Sequence, residues 1–221
     1  TQFGDGEDFD AYPRTLKPDV EKLTGRGADA VFAPAMGEVY PHGTRDLTRV
    51  EAPGLSFQLC GAHRPGHFSG VATVVCKLFN MVQPDVAVFG EKDFQQLAVI
   101  RRMVCDLDIP VDVIGVTTCR EDDGLAMSSR NQYLGPEERM TAPYLHQVLS
   151  DTVERLRGGD RQFGSLEQLA EDALRARGFV PDYVSIRRSS DLMPPEPGDG
   201  ELVVLAAAHL GKARLIDNVR V

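Results

Sequence analysis

The chain has 221 residues, of which 42% are hydrophobic, and a formal net charge of −9 at pH 7. This composition is typical of a soluble globular protein, and the length suits two domains of ordinary size. The acidic balance argues against a nucleic-acid partner, because phosphate backbones are held by clustered lysine and arginine side chains. An anionic small substrate would therefore need a local basic pocket.

The sequence predicts a cytoplasmic protein that does not bind a membrane. We find no signal peptide, and the longest wholly apolar run, residues 202–208, is far too short to cross a bilayer. The cysteines at positions 60, 76, 105 and 119 are widely spaced and include no Cys-x-x-Cys pair. Neither a zinc site nor a disulfide framework is indicated, and reduced thiols fit best.

In the first half of the chain, helix and strand patterns alternate, which predicts a parallel α/β sheet. The strand patterns are short apolar runs, and the helix patterns have apolar residues at a spacing of three to four. The predicted elements are a helix over 18–23, a short buried strand over 28–32 ending at Pro34, an amphipathic helix over 70–83 ending before Pro84, a strand over 86–89, a helix carrying Leu97, Ile100 and Val104, and a strand over 111–116.

After about residue 118 the pattern changes to that of a small α+β domain. We therefore place the domain boundary between residues 118 and 119, which gives domains 1–118 and 119–221. The predicted elements are a long helix from Pro136 to Gly158, a helix from a capping box at Ser165 and Gln168 to Gly178, strands over 183–187, 202–207 and 213–219, with the last two joined as a hairpin at Gly211 and Lys212, and a surface loop over 193–200.

Residues 89–96 have the pattern of an anion site. They follow an apolar strand and open a helix, so backbone amides and the positive end of the helix dipole point toward one place. Lys92 adds a mobile charge there. A solvated first helical turn is the competing interpretation of Lys92 and Asp93. Gly90 favours the anion site, because a glycine at this junction indicates a tight turn or close approach of a ligand.

Two further loops carry residues suited to anions. Ser128, Ser129 and Arg130 follow the turn-forming run Asp122-Asp123-Gly124, although a polar loop with a helix cap explains them equally well. In the second loop, Arg64 could hold a carboxylate or phosphate, and His67 could donate to a developing charge, whereas a capping histidine and a surface arginine are the alternative. All three loops lie near strand ends, where open α/β sheets place ligands.

Taken together, several ordered segments resemble the pantothenate synthetase family. The resemblance spans the chain and is specific, because many segments occur at the right spacing. The segments are Phe32-Ala33-Pro34, Tyr40-Pro41, Arg64-Pro65-Gly66-His67-Phe68, Gln83-Pro84-Asp85, residues 89–96, residues 123–131 and Arg214-Leu215-Ile216-Asp217-Asn218.

The resemblance implies a Rossmann-like nucleotidyltransferase domain followed by a smaller C-terminal α+β lid domain, in a cytoplasmic homodimer. Members of the family condense pantoate with β-alanine, using ATP and Mg²⁺, through a pantoyl adenylate. AMP and pyrophosphate are released. The partners implied for this chain are therefore pantoate, β-alanine and ATP.

The resemblance also implies roles for individual residues. The implied catalytic residues are Lys92, Ser128, Ser129, Arg130 and His67. The implied ATP-binding residues are Gly90, Glu91, Lys92, Asp93, Cys119 through its backbone, Met127, Ser128, Ser129 and Arg130. The implied pantoate-binding residues are Gln2 and Gln96, with Arg64 and His67 near the pantoate and phosphates, and Asp93 is the implied metal ligand.

One departure from the family pattern concerns the N terminus. Family members carry an earlier segment with the first strand and a His-x-Gly-His motif, and this chain begins at Thr1-Gln2-Phe3 without it. We therefore expect the domain to lack its first strand and helix, the sheet to expose apolar surface, and the chain as written to be inactive or nearly so. A ligase seen without its N-terminal segment is our preferred hypothesis. The alternatives are a non-catalytic nucleotide-binding or partner-binding protein of this fold, and another nucleotidyltransferase of the superfamily.

Overall fold

Two β-sheets and the helices packed against them form the structure, a computed structural model that describes residues 1–3 and 12–221. The helices are α1 (Leu16–Gly25), α2 (Met36–Val39), α3 (Pro53–Ser56), α4 (Cys60–His63), α5 (His67–Val82), α6 (Phe94–Asp106), α7 (Pro136–Thr141), α8 (Tyr144–Arg157) and α9 (Phe163–Arg175). The strands are β1 (Val86–Gly90), β2 (Asp112–Val116), β3 (Val180–Arg188), β4 (Leu202–Leu210) and β5 (Ala213–Arg220). Short 3₁₀ turns span Glu91–Asp93 and Ser129–Tyr133.

The first half contains a parallel pair, and the second half contains an antiparallel sheet. Strands β1 and β2 pair in parallel from Val86 opposite Asp112 to Gly90 opposite Val116. Strands β3, β4 and β5 form an antiparallel sheet in that order, with β4 and β5 joined by the predicted hairpin at Gly211 and Lys212. The predicted α/β fold with a smaller α+β half is confirmed.

One face of the parallel pair is open to solvent. Side chains alternate between the two faces of a strand, and Ala87, Phe89 and Val113 pack against the core. On the other face, Val86, Val88, Ile114 and Val116 are between 46% and 59% exposed. The exposed apolar surface expected on this sheet is therefore present.

Three local predictions were wrong. Residues 28–32 are exposed and form no strand, because no described strand lies beside them to complete a ladder. The helix predicted from Pro136 to Gly158 is divided into α7 and α8 at Pro143, whose missing N–H and ring prevent one continuous helix. Helix α9 begins at Phe163 with Gln162 at its cap position, so Ser165 lies inside the first turn and does not start a capping box.

Strand β4 is buried on both faces and joins the two halves. Val203, Leu205 and Ala207 belong to a core formed with α5 and α6. The alternate residues Val204 and Ala206 belong to a second core formed with α8 and α9. This double burial explains why the strand reads as a continuous apolar run rather than an alternating one.

Two leucines of α9 allow a test of the core that β4 forms with α8 and α9. Leu174 is fully buried, whereas Leu169 is 53% exposed. We expect Leu174→Ala to lower the free energy of unfolding by about 2–5 kcal/mol, because it removes buried methyl groups and leaves a cavity. The matched control Leu169→Ala should change it by less than about 0.5 kcal/mol. Urea unfolding measures both, and equal losses would contradict the assigned burial.

Candidate active site

The loop that follows β1 and the loop that precedes α7 meet β5 around a cavity of about 370 Å³. Its lining includes the basic side chains Arg64, Lys92, Arg130, Lys212 and Arg214 and the acidic side chains Asp93 and Asp217. The lining thus contains more cationic than acidic side chains, although the whole chain carries a charge of −9. This is the local basic pocket that an anionic substrate requires.

The turn Glu91–Asp93 brings Lys92 to the cavity. The Lys92 side chain is only 18% exposed, and its Nζ lies 4.0 Å from Asp93 Oδ2. A 3₁₀ turn follows Gly90 as expected, but the backbone there does not require glycine, since its φ of −71° is open to any residue. Nothing lies within 4 Å of a Cβ built there, so the backbone is open on that side.

The neighbouring glutamines Gln95 and Gln96 have different surroundings. Gln96 lines the cavity. Gln95 is buried and donates to the carbonyls of Leu55 and Gln58 at 2.8 and 2.7 Å, while its Oε1 accepts from the Cys60 amide at 3.1 Å. It thereby fixes the segment that leads to Arg64. The sequence predicted a role for Gln96 and overlooked Gln95.

Ser128 is both a helix cap and a residue of the cavity lining, the two interpretations that the sequence left open. Its hydroxyl accepts from the Arg130 amide at 3.3 Å, so it caps the turn Ser129–Tyr133, and it also lines the cavity beside Arg130. Ser129 is exposed, and its hydroxyl donates to the Tyr12 hydroxyl at 3.3 Å. The Arg130 guanidinium lies 5.7 Å from the centre of the Tyr12 ring.

His67 is held through both ring nitrogens. Arg64 Nη1 lies 3.0 Å from His67 Nε2, and because a guanidinium only donates, Nε2 accepts. Nδ1 then carries the proton and donates to the Gln2 carbonyl at 2.6 Å. Donation from His67 to a developing charge would require one of these contacts to break. A Cβ at Gly70 would collide with the Thr1 carbonyl, so glycine permits this approach of residues 1–2 to α5.

The structure brings seven of the predicted site residues to the cavity. These are Arg64, His67, Lys92, Asp93, Gln96, Ser128 and Arg130. The other predicted residues, Gln2, Gly90, Glu91, Cys119, Met127 and Ser129, are not part of the lining. Cys119 has an exposed thiol, and its carbonyl accepts from the Met127 amide at 2.9 Å, so this residue is linked to the site through its backbone.

The segment Arg214 to Asn218 contains site residues to which the sequence assigned no role. Arg120 Nη1 and Nη2 donate to the two oxygens of Asp217 at 2.7 and 2.9 Å. Asn218 Nδ2 donates to the carbonyls of Glu91 and Lys92, both at 2.9 Å. The inclusion of this segment in the family resemblance was the only sequence signal.

A second group of interacting side chains in the cavity lining is formed by Cys60, Tyr183 and Arg214. Cys60 Sγ is 3.0 Å from the Tyr183 hydroxyl and 3.5 Å from Arg214 Nη2. Arg214 Nε also donates to Asp182 at 2.8 Å. Burial raises the pKa of Tyr183, and the neighbouring Cys60 raises it further, so this tyrosine stays protonated. Cys60 is both buried and part of the lining, and its contacts join α4 to β3 and β5.

Comparisons with known proteins agree with this architecture. The family model described as Pantoate-beta-alanine ligase matches residues 1–220. The chain belongs to the pantoate–β-alanine ligase family. It is 60% identical to the pantothenate synthetase of Thioalkalivibrio sulfidiphilus over 220 residues, which are 100% of this chain and 77% of that protein.

Two solved structures of the ligase family are similar over 99% of the chain. Pantothenate synthetase from Thermus thermophilus has 47% identity and a TM-score of 0.92, and 79% of its chain is covered. The enzyme from Francisella tularensis has 30% identity and a TM-score of 0.80, with 75% of its chain covered. That structure is described as complexed with beta-gamma ATP and beta-alanine.

Residues 1–3 and 12–221 contain neither a membrane-spanning helix nor a cluster of metal ligands. No helix in this part of the chain is long and apolar enough to cross a membrane. Nor do these residues contain a group of three or more His, Cys, Asp or Glu side chains arranged to hold a metal ion.

Asp217 is ionised in the folded protein. Burial alone raises its pKa, but His146 and the guanidinium of Arg120 outweigh burial and hold the pKa below its usual value. Arg120 makes the stronger contact, since its shortest distance is 2.7 Å whereas His146 Nδ1 lies 3.5 Å from Asp217 Oδ2. Because the folded pKa is depressed, this carboxylate contributes stability above its unfolded pKa, and that stability is lost as the pH falls through the folded value.

We therefore expect Asp217→Asn to lower the free energy of unfolding by about 3 kcal/mol at pH 7, because it breaks a largely buried ion pair. The difference from the wild type should shrink below about pH 4, near the unfolded pKa of an aspartate. Urea unfolding at several pH values measures it. The control Asp106→Asn removes the exposed pair with Arg102 and should cost less than about 1 kcal/mol. A difference that does not change with pH would contradict the assignment.

Proposed function

We propose that this protein condenses pantoate with β-alanine to form pantothenate, using ATP. The observation that carries the proposal is the cation-lined cavity of a pantoate–β-alanine ligase family member, whose lining includes Lys92, Ser128 and Arg130. A carboxylate substrate and a triphosphate both need such a pocket in a chain that is otherwise acidic.

The first step is adenylation of pantoate. A pantoate carboxylate oxygen attacks the α-phosphorus of ATP, the bond to the bridging oxygen breaks, and pyrophosphate leaves with that electron pair. Negative charge grows on the transferring and leaving phosphates. The ammonium of Lys92, the guanidinium of Arg130 and the hydroxyls of Ser128 and Ser129 stabilise this charge.

The second step forms the amide. The neutral amine of β-alanine attacks the carbonyl carbon of the pantoyl adenylate, AMP leaves with the electron pair of the broken C–O bond, and the amine releases a proton. The protein acts by placing the reactants side by side and by keeping water from the anhydride. Gln96 and Gln2 hold the hydroxyls of pantoate, because an amide both donates and accepts.

Further contacts to the nucleotide belong to the same proposal. Gly90, Glu91, Met127 and the backbone of Cys119 contact ATP, and Arg64 with His67 lies toward the pantoate carboxylate and the α-phosphate. The half-exposed carboxylate of Asp93 suits Mg²⁺, which is bound by one or two carboxylates together with substrate phosphates. Bound there, Mg²⁺ would neutralise charge on the phosphates.

We further propose that the protein is a cytoplasmic homodimer. Each chain then has two domains, with the boundary between residues 118 and 119. Light scattering of the purified protein should give twice the mass of one chain at micromolar concentration. A mass equal to one chain over the whole concentration range would contradict the dimer and would leave the proposed reaction untouched.

Substitution of either cation tests the proposed chemistry. Lys92→Ala and Arg130→Ala should each lower kcat about 10²–10³-fold, because each removes a charge that faces the transferring phosphates. Pantothenate formation measures the effect. The control Lys22→Ala changes an exposed lysine of α1 and should leave kcat unchanged.

The substrate dependence separates the proposal from its alternatives. Pyrophosphate should be released from ATP only when pantoate is present. Release that depends instead on a phosphorylated acceptor would favour another nucleotidyltransferase. Nucleotide binding without turnover would favour a binding protein.

A further inference from the structure

Two adjacent residues of β5, Asp217 and Asn218, contact the two loops that line the cavity. Successive side chains of a strand point to opposite faces, so Asp217 and Asn218 face opposite sides of the sheet. Asp217 reaches Arg120 and His146 on one side. Asn218 reaches the turn Glu91–Asp93 on the other.

The Asp217 contact holds the loop that leads to Ser128 and Arg130. Besides its bidentate pair with Asp217, Arg120 Nη1 donates to the Gly124 carbonyl at 3.0 Å. Arg120 also forms a β-bridge with Ala126, and the neighbouring Cys119 carbonyl accepts from Met127. The start of this loop is therefore fixed to β5.

The Asn218 contact holds the turn that carries Lys92. Asn218 is 7% exposed and pairs with Leu205 across the β4–β5 ladder, so its place is set by the sheet. Its Nδ2 donates one hydrogen to the Glu91 carbonyl and the other to the Lys92 carbonyl. A carbonyl oxygen has two lone pairs, so each can accept this bond in addition to a helical one.

A lysine side chain is flexible, and its ammonium can act only within reach of its own Cα. The second hydrogen bond is made to the peptide of Lys92 itself, so Asn218 fixes the point from which that side chain extends. We propose that Asn218 is a positioning residue, which sets the place of Lys92 relative to Ser128 and Arg130 for the phosphate-transfer step. This inference rests on the proposed function.

The first variants separate hydrogen bonding from shape. Asn218→Ala removes both donors, and Asn218→Asp keeps the shape but places a carboxylate against two carbonyls. We expect kcat for pantothenate formation to fall about 10- to 100-fold in Asn218→Ala, because a small displacement of a catalytic group has effects of that size. Asn218→Asp should lose at least as much. The control Asn80→Ala changes an exposed asparagine of α5 and should leave kcat unchanged.

A double-mutant cycle distinguishes positioning of Lys92 from a general structural role. If Asn218 acts through Lys92, then adding Asn218→Ala to Lys92→Ala should change kcat by less than about twofold. Adding it to Arg130→Ala should retain the full 10- to 100-fold loss, because Arg130 lies on a different loop. Thermal unfolding of each variant shows that the proteins compared are folded.

The experiment should use the whole protein as its own cells make it. Equal losses from Asn218→Ala in the wild-type and Lys92→Ala backgrounds would overturn the inference and leave the proposed function intact. Unchanged kcat in both Asn218→Ala and Asn218→Asp would also overturn it. A wild-type protein that forms no pantothenate from pantoate, β-alanine and ATP would overturn the function and this inference together.

Discussion

Strand β4 packs against one core through Val203 and Leu205 and against the other through Val204 and Ala206. The neighbouring strand β5 is held in place by its antiparallel pairing with β4. The end of β5 contacts both loops that line the cavity. Burial of apolar surface thus holds β4 in place, and a few polar contacts from β5 then position the loops of the site.

The charge distribution follows from the same arrangement. Lys92 and Arg130 come from loops far apart in sequence, and each would be unremarkable alone in an acidic chain. Their effect depends on being placed around one cavity, where the attractions of both cations for a phosphate add at the same place. Pairing Asp217 with Arg120 removes a buried negative charge that would otherwise oppose a substrate anion.

Much of the fold was predictable because it is determined locally. Leu97 and Ile100 give α6 its apolar stripe, and Gly211 with Lys212 joins the predicted hairpin. The strand predicted over residues 28–32 was wrong because a strand needs a pairing partner, and an apolar run does not show whether one is present. Gln95 and Asn218 were missed for a related reason. Their partners lie 40 and 127 positions away, so only the assembled structure shows which backbone groups they bind.

The role of His67 shows how a contact changes the interpretation of a residue type. A histidine beside an arginine in a loop suggests a proton donor, but the guanidinium of Arg64 occupies Nε2, and Nδ1–H is directed to the Gln2 carbonyl. The imidazole therefore bridges the guanidinium of Arg64 and the backbone of Gln2. His67 thus acts through the two groups that it connects, rather than as an available proton donor.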